Sequence, residues 1–486
     1  MKRVALPVLS LALVALSGCM IGPKYERPSV PLAPAFKDAP LVSANFHDGW
    51  EPGHPSDTVL KGDWWTMFGD SRLNALETKV DAANQTLKEA AANFRAARAA
   101  IGYARSYEAP TINVSPSVAS LRNSANRPYA SSSSAESSSG DFILPIDLNY
   151  EIDLWGQIRR GVTAAREQAQ ASDADLESVR LSLHAELALD YFALRTVDAQ
   201  IQLLQATVHA YGQALQVTQD RYAGGLAPQT DVAQARTQLY QARVQLTDLQ
   251  VQRSQEQHAI AVLIGVPPEE LSLPAIPLDV DAPTLPKIPG TVPAVLLQRR
   301  PDIAAAERRV ATANQEIGIA ETAYYPLLSL SAAAGFEGTS ALNWFNWPSR
   351  FWAVGPALAE TVFDAGRRRA SKEITEAEYD ATVANYRQTV LTAFQQVDDN
   401  LAALQVLTTE AQQQHAATAS AQQTMNLFEA RYEGGMDNYL AVVTWQTAAL
   451  SDEQNDLEIT QRRLDASVLL IKALGGGWNV SMLPHL

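Results

Sequence analysis

A helical hairpin that occurs twice is the feature that most constrains how this chain can fold. One copy turns at Arg221–Gly225 (RYAGG) and the other at Arg431–Gly435 (RYEGG), 210 residues further along the 486-residue chain. The same offset relates Gly156 to Gly366. An internal duplication of this kind predicts two similar halves of one body, each with two very long helices that meet at a Gly-Gly tip.

The predicted helices are too long for a compact globular domain. No proline occurs between Gly156 and Tyr222, and an α-helix over this stretch would extend about 100 Å at 1.5 Å per residue. The two hairpins are predicted over residues 157–264 and 367–473. Apolar residues at heptad steps in the first long helix indicate that these helices pack as a coiled coil or as a barrel of helices.

A shorter helix with a heptad seam precedes the strands of each half. In the first half Asp70 is the predicted N-cap, and one continuous helix carries the seam from Leu73 to Ala104. In the second half the seam runs from Ile303 to Tyr324. Many seam positions are alanine, so neighbouring helices are expected to approach each other closely.

Two stretches in each half alternate apolar and polar residues with the period of a β-strand. The predicted strands cover residues 110–121 and 141–154 in the first half and 326–337 and 350–363 in the second. Each has about the length of a tilted transmembrane strand with one apolar face and one polar face. A hairpin of a soluble sandwich is the alternative interpretation of these segments.

Asp147, Asn149 and Glu151 share the polar phase of the second predicted strand. Paired acids such as Asp147 and Glu151 could serve in acid–base catalysis. Because their period-two spacing places them on one strand face, we favour the prediction that all three side chains line the lumen of a barrel.

Four strands cannot close a barrel, and an open sheet edge in lipid leaves backbone groups unpaired. Several chains are therefore expected to share one barrel. Two chains would give eight strands and an interior filled with side chains, whereas three would give twelve strands and room for a lumen. The predicted fold class is an α+β membrane protein, internally duplicated, with four transmembrane strands per chain continuous with long periplasmic helices.

The amino terminus has the pattern of a lipoprotein signal. Lys2 and Arg3 precede a short apolar run that ends in Leu16-Ser17-Gly18-Cys19, with the only cysteine of the chain at its end. We predict a signal peptide over residues 1–18 and acylation of Cys19, while an ordinary signal peptide with a chance cysteine is the alternative. Met20 follows the cysteine and favours sorting to the outer membrane.

The remaining boundaries follow from proline content. Residues 19–69 are predicted to form a lipidated, extended segment, and residues 266–293 a Pro-rich connector between the first repeat, 70–265, and the second repeat, 294–475. Residues 476–486 form the predicted C-terminal tail, which follows the helix stop at Gly475-Gly476-Gly477.

Composition and motifs argue against an enzyme or a nucleic-acid-binding protein. The net charge is −15, whereas nucleic-acid binding needs a basic surface. The seven histidines are scattered, and no metal-ligand spacing, phosphate loop or nucleophile elbow occurs. We therefore predict no catalytic residue, no metal site and no cofactor.

Several motifs together resemble a known family. Arg300-Pro301-Asp302-Ile303 and the stretches Asn149–Gly156 (NYEIDLWG), Asp437–Leu440 (DNYL) and Leu474–Trp478 (LGGGW) resemble those of outer-membrane efflux lipoproteins of the OprM/TolC type, in the NodT-like branch. The resemblance covers essentially the whole mature chain. It implies a homotrimer with a shared twelve-stranded barrel in the outer-membrane lipid, a helical tunnel in the periplasm and an equatorial domain. It also implies two partners, a periplasmic adaptor protein and an inner-membrane transporter of the resistance-nodulation-division class.

The same resemblance implies a gate at the hairpin tips. Asp437 matches the position of an acidic gate ring, although it could equally be the N-cap of a helix from Asn438 to Ala473. Arg431 and Tyr432 are candidates for closing contacts or for packing of the turn. Four glycines are expected to permit the reversal and to offer backbone to the adaptor, although turn geometry alone would explain them: Gly224, Gly225, Gly434 and Gly435.

The predicted function is the exit duct of a tripartite efflux pump. The competing hypothesis is a lipid-anchored periplasmic coiled-coil scaffold without a pore. That scaffold would explain the long helices and Cys19, but it would not explain amphipathic strands that occur in both halves. A charge placed on the apolar phase of a strand should distinguish the two, because only a membrane barrel would fail to assemble.

Overall fold

Long helices and one antiparallel sheet make up the part of the chain that the computed structural model describes, which is residues 20–30, 36, 62–122, 124, 138–280, 286 and 299–486. The predicted signal peptide over residues 1–18 and the predicted lipidation site at Cys19 lie outside these residues. So do parts of the predicted extended segment 19–69 and of the predicted connector 266–293. No helix among the described residues combines the length and the apolar character needed to span a membrane.

Both halves follow the order helix, strands, helical hairpin, but the first helix and the first strand of the first half are each divided in two. The first half consists of α1 (Ser71–Ala83), α2 (Gln85–Ser106), β1 (Thr111–Val114), β2 (Ser117–Leu121), β3 (Ser139–Ile152), α3 (Gln157–Ala223) and α4 (Gln229–Leu263). The second half consists of α5 (Pro301–Thr322), β4 (Leu327–Gly338), β5 (Arg350–Ala359), α6 (Arg367–Glu433) and α7 (Tyr439–Ala473). The long helices α3 and α6 have 67 residues each, and their partners α4 and α7 have 35 residues each.

The first helix is broken where the sequence pattern predicts one continuous helix. The break lies at Asn84, whose backbone (φ −57°, ψ 129°) leaves the helical region between α1 and α2. The Asn84 side chain accepts a hydrogen bond from the Leu87 N–H at 2.9 Å and donates one to the Leu263 carbonyl at 2.8 Å. The heptad pattern did not reveal the break, because Val80 and Leu87 are both buried and the apolar seam keeps its register across it.

The first predicted strand, 110–121, is also interrupted, at Ser115 and Pro116. Both parts, β1 and β2, pair with β3 in one register, which places Ser115 opposite Pro145. Because Pro116 and Pro145 have no backbone N–H to donate, the hydrogen-bonded pairing with β3 is interrupted at this point, while the register stays the same on both sides.

The last predicted strand, 350–363, ends at Ala359 rather than at residue 363. The register with β4 places the next residue, Glu360, opposite Pro326, which again has no N–H to donate. Pro145 and Pro326 lie on neighbouring segments, where the alternation of a single strand does not record them, whereas Pro116 belongs to the interrupted strand itself.

The sheet has one apolar face and one polar face. The order is β1 and β2 beside β3, then β4, then β5, and all pairs are antiparallel. Leu148 pairs with Ile112 on one side and Ala332 on the other, whereas Asn149 pairs with Thr111 and Ser331. Large apolar side chains of the Leu148 face are exposed in the single chain: Ile112, Val114, Val118, Ile146, Trp352, Val354 and Leu358.

An N-terminal strap, residues 20–30, lies along the helices just below the sheet. The guanidinium of buried Arg160 on α3 donates to the Ile21 carbonyl at 2.5 Å, the Pro23 carbonyl at 3.3 Å and the Gln315 side chain at 2.7 Å. Gly22 has φ +106° and passes so close to Gly318 of α5 that a Cβ would lie 2.6 Å from its Cα. The strap therefore bridges both halves of the chain.

The core of the helical part is continuous from the first half to the second. Its largest cluster includes Trp64, Tyr191, Val397 and Leu464, so α3, α6 and α7 all contribute to it. A further cluster joins the strap to α5 and α6 through Tyr25, Ile303 and Tyr386. Arg195 and Tyr191 of α3 both donate to the Asp70 carboxylate, at 3.1 and 2.8 Å, which ties the start of α1 to this core.

Asp190 on α3 is expected to make stability depend on pH. Burial, together with the carboxylates of Glu256 and Glu186, raises the pKa of Asp190 to about 7. Since this folded-state pKa lies above the unfolded value, Asp190 contributes stability that is lost as the pH rises from about 4 through about 7. Asp190→Asn introduces asparagine, which is the residue at the matching position 400. The variant should raise Tm at pH 8 by about 2–4 °C for each kcal/mol by which the free energy of unfolding increases. At pH 4, where Asp190 is already neutral, the increase in Tm should be much smaller.

The measurement is thermal unfolding of the purified protein in detergent, followed by circular dichroism at pH 4, 6 and 8. The control variant is Asp399→Asn, which changes an exposed acid on α6. A Tm difference that is the same at all three pH values would contradict the assignment.

Candidate functional site at the hairpin tips and the sheet

Both long helices end in the same hydrogen-bonded turn. At the first tip the Gly225 N–H donates to the Tyr222 carbonyl and the Leu226 N–H donates to the Arg221 carbonyl, at 3.0 and 2.8 Å. At the second tip the corresponding donors, Gly435 and Met436, make the same two bonds at 2.9 Å each. This is the Schellman arrangement, which closes a helix with one residue in the left-handed region.

Only one glycine of each pair needs to be glycine for the turn. Gly225 and Gly435 have φ of +72° and +73°, where a side chain is strained. Gly224 and Gly434 have φ of −78° and −72°, which any residue adopts. A methyl group added at Gly224 would lie 3.5 Å from the nearest atom, an ordinary van der Waals contact, so the fold does not require glycine there.

Tyr432 lies between the two tips. Its side chain is buried and its ring packs edge-on against Tyr439 at 5.2 Å. The Arg221 guanidinium of the first tip lies 4.9 Å from the centre of the Tyr432 ring and donates a 3.0 Å hydrogen bond to the Glu433 carbonyl. Arg221 therefore connects the first hairpin to the second within one chain.

The Tyr432 hydroxyl lies beside Thr218 and Asp231, at the first hairpin. Burial raises the pKa of Tyr432, and the nearby Asp231 carboxylate raises it further. The phenol is thus neutral throughout the physiological range, and the contact between the hairpins does not depend on its ionisation.

Asp437 forms an ion pair with Arg431 across the second turn. The alternative role as N-cap is wrong, because the cap of α7 is Asn438, whose side chain accepts from the Ala441 N–H at 3.1 Å. A cap must occupy the residue directly before the first helical turn, and α7 begins at Tyr439, one residue later than the sequence pattern indicates. The Asp437 charge is therefore balanced by its own chain.

The sheet brings the three predicted lumen residues together on its polar face. Asp147, Asn149 and Glu151 pair with Ala333, Ser331 and Ser329 of β4. A cleft of about 550 Å³ lies over Asp147, Asn149 and Ser331. Small neighbours leave these polar groups accessible, whereas the large apolar side chains of the same strand point to the other face.

Sequence reasoning overlooked Arg221, Asp231 and Tyr439 at the tips. The duplication contained a signal for the first of them, since Arg221 and Arg431 occupy matching positions. What the repeat could not indicate is that the two arginines act differently. Arg431 pairs with Asp437, but position 227, which matches Asp437, is alanine. Arg221 is thereby left to reach the other hairpin.

Comparison with known proteins assigns the chain to a family. The model of the family described as "Outer membrane efflux protein" matches residues 78–266 and 292–476. This chain belongs to that family. The match spans both halves of the duplication and leaves out only the ends and part of the connector, and the family is one of efflux channels rather than of enzymes.

Individual relatives are similar to this chain over nearly their whole length. The toluene efflux pump outer membrane protein TtgF of Pseudomonas putida is 32% identical over 480 residues, which are 98% of each chain. The outer membrane protein OprJ of Pseudomonas aeruginosa is 30% identical over 99% of this chain and 97% of its own. The solved outer-membrane channel OprN superposes with a TM-score of 0.85 at 27% identity, over 95% of this chain and all of that one.

The protein is therefore an outer-membrane component of an efflux pump, and it extends from the outer membrane into the periplasm. The sheet and the hairpin tips lie at opposite ends of the long helices α3 and α6, because each helix begins directly after a strand and ends at a tip.

The two glycines of a tip should respond differently to alanine. Gly225→Ala places a side chain in the left-handed region, which costs about 1 kcal/mol and should speed amide exchange at the tip about fivefold. Gly224→Ala should leave exchange unchanged or slow it, because alanine favours the helix. Hydrogen exchange of the tip peptides, followed by mass spectrometry, measures both variants. Equal acceleration by the two substitutions would contradict this assignment.

Proposed function

We propose that the protein is the exit duct of a tripartite efflux pump and acts as a homotrimer whose sheets form one twelve-stranded barrel. The single observation that carries the proposal is the sheet, which combines an exposed apolar face, a polar face and two edges. Within the described part of the chain, β1, β2 and β5 each pair on one side only. An amphipathic sheet with two unpaired edges is stable in lipid only when neighbouring copies complete it.

The internal duplication supports the way in which the copies join. In the first half Thr111 pairs with Asn149, and in the second half Leu327 pairs with Ala359. The two pairs occupy equivalent positions in the duplication. Thr111 of the first strand corresponds to Leu327, 216 residues later, and Asn149 of the second strand corresponds to Ala359, 210 residues later. The two strands of each half therefore pair in the same register. We expect β5 to pair with β1 and β2 of the next protomer in the register that β3 and β4 use between the two halves of one chain.

The helices support the same arrangement. α5 packs on α6 of its own half and on α3 of the other half, whereas among the described elements its counterpart α2 packs extensively on α3 alone. Gly318 of α5 lies so close to Arg160 that a Cβ would meet the guanidinium at about 2.4 Å, but the matching Gly102 of α2 has open space around it. We infer that α6 of a neighbouring protomer covers Gly102.

The anchor and the partners complete the proposal. Met20 packs on Gly156 at the junction of β3 and α3, and acylation of the preceding residue, Cys19, would anchor the chain to the membrane. The tips are the part of the chain farthest from the sheet, and they are proposed to meet a periplasmic adaptor and, through it, an inner-membrane transporter of the resistance-nodulation-division class. Gly224, Gly225, Gly434 and Gly435 would offer bare backbone for the adaptor contact.

The names of relatives suggest a class of substrate for the proposed channel. Toluene is the substrate in the printed name of TtgF, and apolar solvents are therefore one substrate class to test for this channel. The proposal does not require the duct itself to select them, because the polar face of the sheet offers a wide, water-accessible surface rather than a fitted pocket.

We propose further that the tips gate the duct. Arg221, resting on Tyr432 and bonded to Glu433, would hold the two hairpins of a protomer together in the closed state. Asp437 would line the opening, with its charge partly balanced by Arg431, and would make the entrance cation-tolerant. The barrel lumen above it would be lined by Asp147, Asn149 and Glu151.

A pore-free scaffold explains less of the structure. A lipid-anchored coiled coil would need the helices and the strap, but it gives no reason for an exposed apolar face of seven large side chains on one sheet. The duct accounts for that face as the surface in contact with lipid.

A charge on each face of β3 tests the barrel. Leu148→Arg places a charge in the lipid-facing phase, which costs about 2–4 kcal/mol per protomer near the bilayer centre, and it should abolish trimer assembly in the outer membrane. Asn149→Arg is the matched control, because it changes the adjacent residue on the polar face and should assemble. The measurement is the mass of the detergent-extracted protein by light scattering, with the detergent subtracted. A folded wild-type monomer, or equal assembly of both variants, would favour the scaffold.

Removing the contact between the hairpins tests the gate. Arg221→Ala loses a hydrogen bond and a cation–π contact worth about 1–2 kcal/mol per protomer, so the open-to-closed ratio in planar bilayers should rise at least about fivefold. Asp437→Ala should instead lower the preference for cations, since it leaves Arg431 unpaired at the entrance. Arg243→Ala is the control, because this arginine stacks on Tyr240 of its own helix. Unchanged opening in Arg221→Ala would contradict the gate.

A further inference from the structure

Aromatic side chains gather on the apolar face at the end of the sheet that lies farthest from the helices. Trp344 and Phe345 of the β4–β5 loop pack on Phe142 of β3 and Phe336 of β4, with ring centres 5.4 and 5.8 Å apart. Phe142 and Phe336 belong to the same face as Leu148. Aromatic residues in this position are typical of the level where lipid headgroups meet the hydrocarbon.

Charges at this end of the sheet are sorted by face. Arg350 begins β5 opposite Phe336 and therefore lies on the apolar face, with its guanidinium 3.6 Å from the centre of the exposed Trp347 ring. Asp141 and Glu337 pair with Ala119 and Ile143, which places both acids on the polar face. A cation thus sits at the outer rim with no carboxylate of these strands beside it.

A second arginine occupies the other edge of the sheet. Arg122 directly follows β2, and the alternation of β2 places it in the phase of Val118, on the apolar face. Arg350 therefore lies on the apolar face at one edge of the sheet, and continuing the alternation of β2 by one residue assigns Arg122 to the same face at the opposite edge. These are the edges that meet between protomers in the proposed barrel.

The register of the duplication brings these two arginines together. Where the two halves meet, Phe142 of β3 pairs with Gly338 of β4. In the duplication, Phe142 corresponds to Trp352 and Gly338 corresponds to Arg122. The same register between protomers sets Trp352 opposite Arg122 of the neighbouring protomer. Arg350, two residues before Trp352 on the same face, then lies diagonal to that Arg122, at about 7–8 Å between Cα atoms.

We propose that each seam of the trimer carries a binding site for the phosphate of an outer-leaflet glycolipid, formed by Arg350, Trp347 and Arg122 of the neighbouring protomer. Two guanidinium groups at this spacing match a phosphate, which arginine binds through paired, charge-assisted hydrogen bonds. The site lies at the end of the apolar face that is farthest from the helices. The acyl chains of the lipid would therefore lie along the apolar face, while the phosphate of its headgroup would contact the arginines. This inference rests on the proposed trimeric barrel.

The test uses the purified full-length protein in detergent, with native mass spectrometry to count bound lipid. Bisphosphorylated lipid A is the probe, and the same lipid with both phosphates removed is its control. The trimer should bind up to three phosphorylated molecules, and removal of the phosphates should weaken binding at least about tenfold. Inorganic phosphate in excess should not displace the lipid, because it lacks the acyl chains.

Variants then assign the binding to the two arginines. Arg350→Gln and Arg122→Gln should each weaken binding of the phosphorylated lipid about tenfold, and Arg350→Lys should retain part of it. Arg462→Gln is the control, because this arginine pairs with Glu410 on the helical hairpin, far from the sheet. The mass of each variant reports in the same experiment whether the trimer has formed.

The outcomes separate this inference from the proposed function. A trimer that binds both forms of the lipid equally, or variants that bind as the wild type does, would overturn the lipid site and leave the duct intact. Displacement by inorganic phosphate alone would show a simple anion site and would also overturn it. A wild-type protein that is folded but monomeric would overturn both proposals, because the seam would not exist.

Discussion

A sheet in lipid must pair every backbone N–H and C=O group, and this chain supplies a sheet whose two edges find no partner among its described residues. The rest of the architecture can be understood from that constraint. The duplicated halves build a sheet with one repeating register, which lets identical copies continue the pattern. In the proposed barrel, the long helices that follow β3 and β5 would continue the spacing of the strands into the periplasm.

The two halves match in backbone but differ in chemistry at their tips. Both turns close with the same hydrogen bonds, and both long helices have the same length. The side chains that follow are different, since Asp437 pairs with Arg431 in the second half while the first half has alanine at the matching position. A ring built from three such chains would alternate between two kinds of tip, with Arg221 as the contact from one kind to the other.

The sequence alone was sufficient to predict the duplication, the long hairpins and the two faces of the sheet, because these depend on periodicity and on offsets that can be read directly. It was not sufficient where a distant segment decides. Asn84, where the first helix breaks, donates its side-chain amide to the Leu263 carbonyl, 179 residues away in the sequence. Pro145 lies opposite the break between β1 and β2, which itself contains Pro116, and Pro326 lies opposite the end of β5. Arg221 reaches Tyr432 across a sequence separation that no local pattern reports. The family resemblance supplied the residues of the proposed gate, and the structure shows that Asn438 rather than Asp437 caps α7. Why Gly224 and Gly434 are glycine is a question about what touches the tips, since the turn itself does not need them.

The strap has a consequence for the order in which the chain acquires its structure. Its binding groove is lined by Arg160 of α3, Gln315 and Gly318 of α5, and Tyr386 of α6, which belong to both halves. That groove exists only after the halves have packed together. The strap can therefore dock only after the two halves have packed together, although it precedes both of them in the sequence.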